Sequence, residues 1–251
     1  MRKIWIPAVF LAFLIVMWEV STRLFNIESW ILPAPSIILQ EAVQSWTNYQ
    51  HHISSTVVLT LSGFAIGVSI GLLIAVLLHV LPFVRQMVYP VLLLSQNIPI
   101  IVLAPLLVIW FGYGTLPKII IITLVCFFPV TIATLDGFRQ TNRELVHYMK
   151  MAGASKQQMF TKLELPHALP SIFSGLKISA TYSVMGAVIS EWLGASKGIG
   201  VYMTLASSSF RTDRVFVAIL LVILLCFILF GAIILIERFV LRWQYVKGEN
   251  R

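Results

Sequence analysis

The run ISSTVVLTLSGFAIGVSIGLLIAVLLHVLPFV, residues 53–84, contains no Asp, Glu, Lys or Arg. A helix crossing the hydrocarbon core of a bilayer needs roughly twenty mainly apolar residues, and this run exceeds that length. Gly63, Gly67 and Gly71 recur in it at four-residue spacing. On a helix they share one face and let a second backbone approach closely. That face serves either packing inside the subunit or a seam between two copies.

The same criterion, applied outward, gives six spans: about Ile4–Phe25, Val57–His79, Val88–Phe111, Leu116–Leu135, Ile172–Trp192 and Val215–Ile236. The first has the basic-then-apolar look of a signal peptide. Trp18-Glu19-Val20-Ser21 follows it in place of a small-residue cleavage site, so a retained span is expected. The chain of 251 residues is 59% hydrophobic and 11% charged, far from the roughly 25% charge of soluble domains. An all-α membrane protein forming a single domain over residues 1–251 is expected. Cys126 and Cys226 lie in apolar runs, which suits small buried hydrophobes.

The net charge is +8. Basic residues of membrane proteins collect in cytoplasmic loops, and nothing here resembles a clustered phosphate-binding surface for nucleic acid. With the N-terminus inside, most basic residues fall on the cytoplasmic side: Arg2, Lys3, Arg85, Arg139, Arg143, Lys150, Lys156, Lys162, Arg238, Arg242, Lys247 and Arg251. Arg23, Lys118, Lys197, Arg211 and Arg214 fall outside. Both termini are therefore expected in the cytoplasm.

Between the first two spans, Pro33 and Pro35 break the helix, and Ser36 is placed to cap a short amphipathic helix. Its Ile37, Ile38, Ala42 and Trp46 suit the outer interface. The adjacent His51 and His52 have no third ligand nearby in sequence and read as surface residues. The third span is unusual: polar Ser95, Gln96 and Asn97 stand just before Pro99, inside an apolar run that also holds Pro90 and Pro105. Polar residues beside a proline break face a bundle interior, where they satisfy freed carbonyls or meet a solute. These four are candidate pathway residues.

The longest charge-bearing stretch is the insert at about 141–168, including RELVHYMKMAGASKQQMFTKLELPHA. Thr141-x-x-Glu144 and Ser155-x-x-Gln158 are two capping boxes. Gly153 between them suits a left-handed helix end, and Leu165-Pro166 is expected to stop the second helix, with Pro170 ahead of the fifth span. The pattern predicts a rigid helical hairpin offered to a partner in the water. In the fifth span Lys177 and Glu191 are fourteen residues apart, too far to pair on a straight helix. Lys177 suits snorkelling to headgroups or to the insert. Glu191, beside Trp192, is either a pathway group or an interfacial acid paired with Lys197 or Arg211. The Gly-rich outer loop after it suits a re-entrant gate. There is no P-loop and no nucleophile–base spacing, and His79, His147 and His167 are scattered; no enzyme is expected.

Glu144-Leu145, Gly153-Ala154-Ser155, Leu165-Pro166 and Leu169-Pro170 resemble the cytoplasmic loop of binding-protein-dependent ABC importer permeases. ILPAPS, IWFGYG, SGLKISATYSVMGAVISEWLGA and GIGVY extend the resemblance over most of the chain, toward the nitrate/sulfonate/taurine-type branch. SQNIPI, CFFPV, LDGFR and EWLGASKGIGVYM look most like permeases for pyrimidine precursors of thiamine. The resemblance implies that the insert is a coupling helix and that Glu144, His147, Lys150, Gly153, Ala154, Ser155, Leu165 and Pro166 carry the ATPase contact. His147-Tyr148-Met149 stands where the family has Glu-Ala-Ala, which implies a dedicated ATPase rather than a shared one. It also implies a homodimer in the bacterial cytoplasmic membrane, an extracellular or periplasmic solute-binding protein, and ATP bound on the partner subunit, with no cofactor or metal on this chain. A permease for a small anion such as nitrate or an alkylsulfonate is the alternative solute class. A secondary transporter or channel working without ATP, and a scaffold carrying no solute, are the rivals of other classes.

Overall fold

The computed structural model describes residues 5–242; of the basic residues used above for orientation, Arg2, Lys3, Lys247 and Arg251 lie outside them. Every regular element is helical: α1 Trp5–Leu24, α2 Pro35–Gln44, α3 Trp46–Val80, α4 Pro82–Ser95, α5 Ile100–Phe111, α6 Thr115–Arg139, α7 Arg143–Met151, α8 Lys156–Met159, α9 Leu165–Glu191, α10 Ile199–Ser208 and α11 Thr212–Val240. A single π-helical segment, Phe160–Glu164, joins α8 to α9. Among the described residues, five helical stretches are long and apolar enough to cross a membrane: α1, α3, α6, the combined α8–α9 helix and α11. The remaining expected span, the third, at about Val88–Phe111, is a bent pair of helices. α4 and α5 meet at 99°, because Pro99 supplies no N–H donor and its extended backbone starts α5 as a new helix.

The centre is a three-helix packing of α3, α6 and α9. The glycine row faces α6: a Cβ on Gly67 would stand 2.7 Å from Cys126 Cβ and 2.8 Å from the Thr123 carbonyl. The row therefore works inside the subunit, and the α3 and α6 backbones touch along it. Small hydroxyls add bonds across the helices. Thr131 Oγ1 donates to the Gly71 carbonyl at 3.2 Å, and Ser179 Oγ to the Cys126 carbonyl at 2.9 Å. Without a hydrophobic drive between helices in lipid, close packing and such bonds hold a bundle together.

Around this centre α1 and α11 present wide apolar faces outward; Phe10, Phe13, Ile228 and Phe239 are all more than half exposed, as suits lipid contact. α2 turns its Ile38 inward against Tyr49, Ile199, Tyr202 and Val217, while Ile37 and Trp46 stay exposed. Ser36 does not cap α2. Ala34 occupies the cap position, and the Ser36 amide and hydroxyl bond instead to Glu19 of α1 at 3.0 and 2.8 Å. Lys177 neither snorkels nor meets the insert: its Nζ lies 3.0 Å from both carboxylate oxygens of Glu237 on α11.

Candidate functional site: two ends of one long helix

At the insert, α6 closes with the Thr141 amide on the Phe138 carbonyl. This turns the Thr141 side chain into the bundle, where its hydroxyl is buried without a partner among the described residues. Asn142 takes the cap position that the sequence pattern assigned to Thr141: its Oδ1 accepts from the Glu144 amide at 2.8 Å. α7 then ends in a Schellman turn. The Ala154 amide reaches the Met149 carbonyl and the Gly153 amide the Lys150 carbonyl, both at 3.0 Å, with Gly153 at φ +77°. The second capping box forms as expected, Gln158 N donating to Ser155 Oγ at 3.2 Å and Ser155 N to Gln158 Oε1 at 2.8 Å.

Pro166 does not stop the helix that begins there. The Leu165 amide reaches back five residues to Phe160, and this wider turn makes room for the proline ring where an α-helix would clash. The result is one helical path from Lys156 to Glu191, 36 residues, on the order of 54 Å at 1.5 Å per residue. The insert is thus a short helix, a glycine turn, and the near end of the fifth span. Glu144, His147, Lys150 and Ser155 are exposed on it, and Leu165 and Pro166 are half-buried. Leu145, Tyr148 and Met151 form an exposed apolar edge along α7.

A contact that sequence reasoning missed ties this end to the bundle. His79, at the end of α3, meets Glu164 at 2.8 Å and stacks on Phe138 of α6 at 4.3 Å. The one signal was a histidine at the end of the expected second span, inside an uncharged run.

At the far end Glu191 is 1% exposed. It pairs with neither Lys197 nor Arg211. Its Oε1 accepts from Thr56 Oγ1 at 2.7 Å, and its Oε2 from the Gly200 amide at 2.8 Å. Thr56 Oγ1 in turn accepts from the Ile199 amide at 2.8 Å, and His52 Nδ1 from the Gly198 amide at 3.0 Å. The first amides of α10, which have no partner inside that helix, are therefore captured by three side chains from α3 and α9. A Cβ on Gly198 would overlap the Glu191 carboxylate, so only glycine fits there. Arg211 is engaged elsewhere, with Asp213 at 2.8 Å and Glu41 at 3.1 Å. The Gly-rich loop leads into α10, packed on α9 and α11, and Trp192 is 46% exposed.

Between the two ends, at the α4–α5 break, lies a cavity of about 470 Å³. Ser95, Gln96 and Asn97 line it together with Leu103, Phe128 and Tyr182. Ser95 Oγ bonds the Val91 carbonyl and Asn97 Nδ2 the Leu93 carbonyl at 2.8 Å, so both satisfy backbone at the break. Gln96 makes no side-chain bond among the described residues, and the lining contains no charged side chain. A separate cavity of about 510 Å³ between α3 and α6, on the Glu191 side of the bundle, carries Lys118 and Lys197 beside Ser54, Ser55 and Ser62.

Comparison with known proteins agrees with this arrangement. Residues 67–242 match the family model described as the binding-protein-dependent transport system inner membrane component. The chain is 36% identical to a formylaminopyrimidine transport permease of Halalkalibacterium halodurans, over 95% of each chain. It is 31% identical to a riboflavin transport system permease of Chloroflexus aurantiacus, over 93% of this chain and 88% of that one. It is 28% identical to a taurine transport system permease of Escherichia coli, over the same shares. A multi-span helical chain, broken at one span and matched along nearly its whole length to such permeases, belongs to the binding-protein-dependent transport system inner membrane components, the permease subunits of ABC importers.

Proposed function

We propose that two copies of this chain form the pathway of an ATP-driven importer, with α7 and the Gly153 turn seated on a cytoplasmic ATPase and both termini in the cytoplasm. A solute-binding protein on the other side delivers solute to the outer end around α10. The observation that carries this reading is the unbroken helix from the Ser155 cap to Glu191. When ATP draws the two ATPase subunits together, the seated turns follow. Each long helix then carries the movement to the α10 latch and opens the pathway outward. Leu145, Tyr148 and Met151 give the ATPase an apolar contact, and Glu144, His147 and Lys150 its polar edge. Membership of the family favours this over an ATP-independent transporter.

The solute is a neutral heteroaromatic, of the pyrimidine kind named for the formylaminopyrimidine relative. The uncharged cavity at the α4–α5 break, with the Gln96 amide and the rings of Phe128 and Tyr182, offers stacking and hydrogen bonds and no counter-charge. A second reading, a small organic anion as in the taurine relative, is favoured by Lys118 and Lys197 in the cavity between α3 and α6. Uptake into proteoliposomes holding the assembled transporter separates them. On the first reading labelled formylaminopyrimidine accumulates, Gln96→Leu raises its half-saturation roughly fivefold through one lost hydrogen bond, and Lys118→Met has no effect. Accumulation of taurine alone, lost in Lys118→Met, would replace the first reading with the second.

A further inference from the structure

The insert end of the bundle holds a third cavity, of about 500 Å³, between the start of α4 and the α6–α7 junction. Arg85, Arg139 and Arg143 all line it, with Gln86 and the Tyr89 ring beside them, and no acidic side chain does. Arg139 has one weak partner, Asp136 at 3.7 Å, and its guanidinium stands 6.0 Å from the centre of the Tyr89 ring. Arg85 and Arg143 form no ion pair among the described residues. Arg143 is moreover the first residue of α7 and Arg85 lies in the first turn of α4, where the helix dipole disfavours a cation. Three guanidiniums and two positive helix ends thus converge on one space, with the weak Asp136 contact their one acidic partner among the described residues.

What lies beside the cavity narrows the occupant. At 100° per residue, Arg85, Gln86 and Tyr89 occupy one face of α4, while Phe83, Met87, Val91 and Leu94 fall on the adjoining flank. Those four are 75%, 63%, 59% and 73% exposed. A cationic pocket whose edge continues into an exposed apolar stripe fits a molecule with an anionic head and an apolar tail. We propose that the cavity binds the phosphate of an anionic phospholipid headgroup, with its acyl chains along the Phe83–Leu94 flank. Basic pockets between membrane helices at the headgroup level take such lipids. The site touches α7 through Arg143, so the lipid steadies the junction from which the insert projects. This inference is independent of what solute is carried.

The test uses the full chain in bilayer discs of phosphatidylcholine with a minor share of phosphatidylglycerol, followed by native mass spectrometry of the lipids that stay bound. The expected result is enrichment of phosphatidylglycerol on the wild type. That enrichment falls about fivefold for each arginine removed in Arg85→Gln and in Arg85→Gln/Arg143→Gln, and is unchanged in Arg238→Gln. Millimolar inorganic phosphate leaves it intact; displacement by phosphate would assign the site to a free anion and overturn the lipid assignment. Equal enrichment in the wild type and in a double variant that keeps the wild-type thermal midpoint would overturn the site itself. Loss of the lipid on assembly with the ATPase subunit would assign the arginines to that protein and overturn the proposal.

Discussion

Glu191→Ala is expected to lower the stability of the purified permease by roughly 2–4 kcal/mol, and Glu191→Gln by less than about 1 kcal/mol. Alanine strips the partner from the buried Gly200 amide, which Glu191 holds at 2.8 Å, and a buried orphan costs about 1–3 kcal/mol. It also leaves an unfilled space beside Thr56, whose hydroxyl falls back on the His52 carbonyl. Against a total stability on the order of 5–15 kcal/mol, that loss reaches expression yield as well as the melting midpoint. Glutamine keeps the arrangement. Its Oε1 accepts from Gly200 and its Nε2 donates to Thr56 Oγ1, whose own proton turns to the His52 carbonyl, already 3.2 Å away. Thermal unfolding in detergent followed by light scattering separates the variants. If glutamine proved as damaging as alanine, the negative charge rather than the hydrogen bonding would be what the outer end requires. A harmless alanine would show that Glu191 does not hold the start of α10.

Gly153→Val is expected to leave assembly intact while cutting stimulation of ATP hydrolysis by loaded solute-binding protein about tenfold. A Cβ at Gly153 meets nothing within 4 Å, so the penalty is conformational. A β-branched residue at φ +77° costs about 1–2 kcal/mol, and a difference of about 1.4 kcal/mol is a factor of ten. The chain avoids that cost by abandoning the Schellman turn, which swings α7 away from its setting on the α8–α9 helix. Asparagine, which tolerates the left-handed region, is expected to restore part of the stimulation. Full stimulation in a normally assembled Gly153→Val complex would sink the coupling role.

The features legible in the sequence were the local ones. Apolar runs long enough to span, the glycine row of α3, the Gly153 turn and the Ser155 capping box all rest on neighbours within a few positions, and the structure places each of them. Three local readings failed, at Ser36, Thr141 and Pro166: Ala34 takes the cap position expected of Ser36, and the other two have their own causes. Thr141 and Asn142 are both able caps, and only the closing turn of α6 decides that Asn142 serves. Pro166 reads as a stop until the π-segment at Phe160–Glu164 is seen to accommodate it. The α4–α5 break was signalled by Pro99, but its 99° angle was not. The contacts that join the two ends were out of reach, since no sequence pattern connects residues 56 and 191, 79 and 164, or 177 and 237.

In the proposed mechanism the Gly153 turn and the α10 latch move together as two ends of one stiff helix. Single-molecule energy transfer between dyes on cysteines at Gln157 and Ser196 measures this directly, using one labelled copy per reconstituted transporter in a Cys126→Ala/Cys226→Ala background. An end-to-end distance of roughly 50 Å is expected to stay the same, within about 2 Å, between the nucleotide-free and ATP-bound states, even as binding-protein-stimulated hydrolysis proceeds. A change of several ångströms with nucleotide would show that the helix bends, with the π-segment as a hinge, and would contradict rigid transmission from the insert to the outer end.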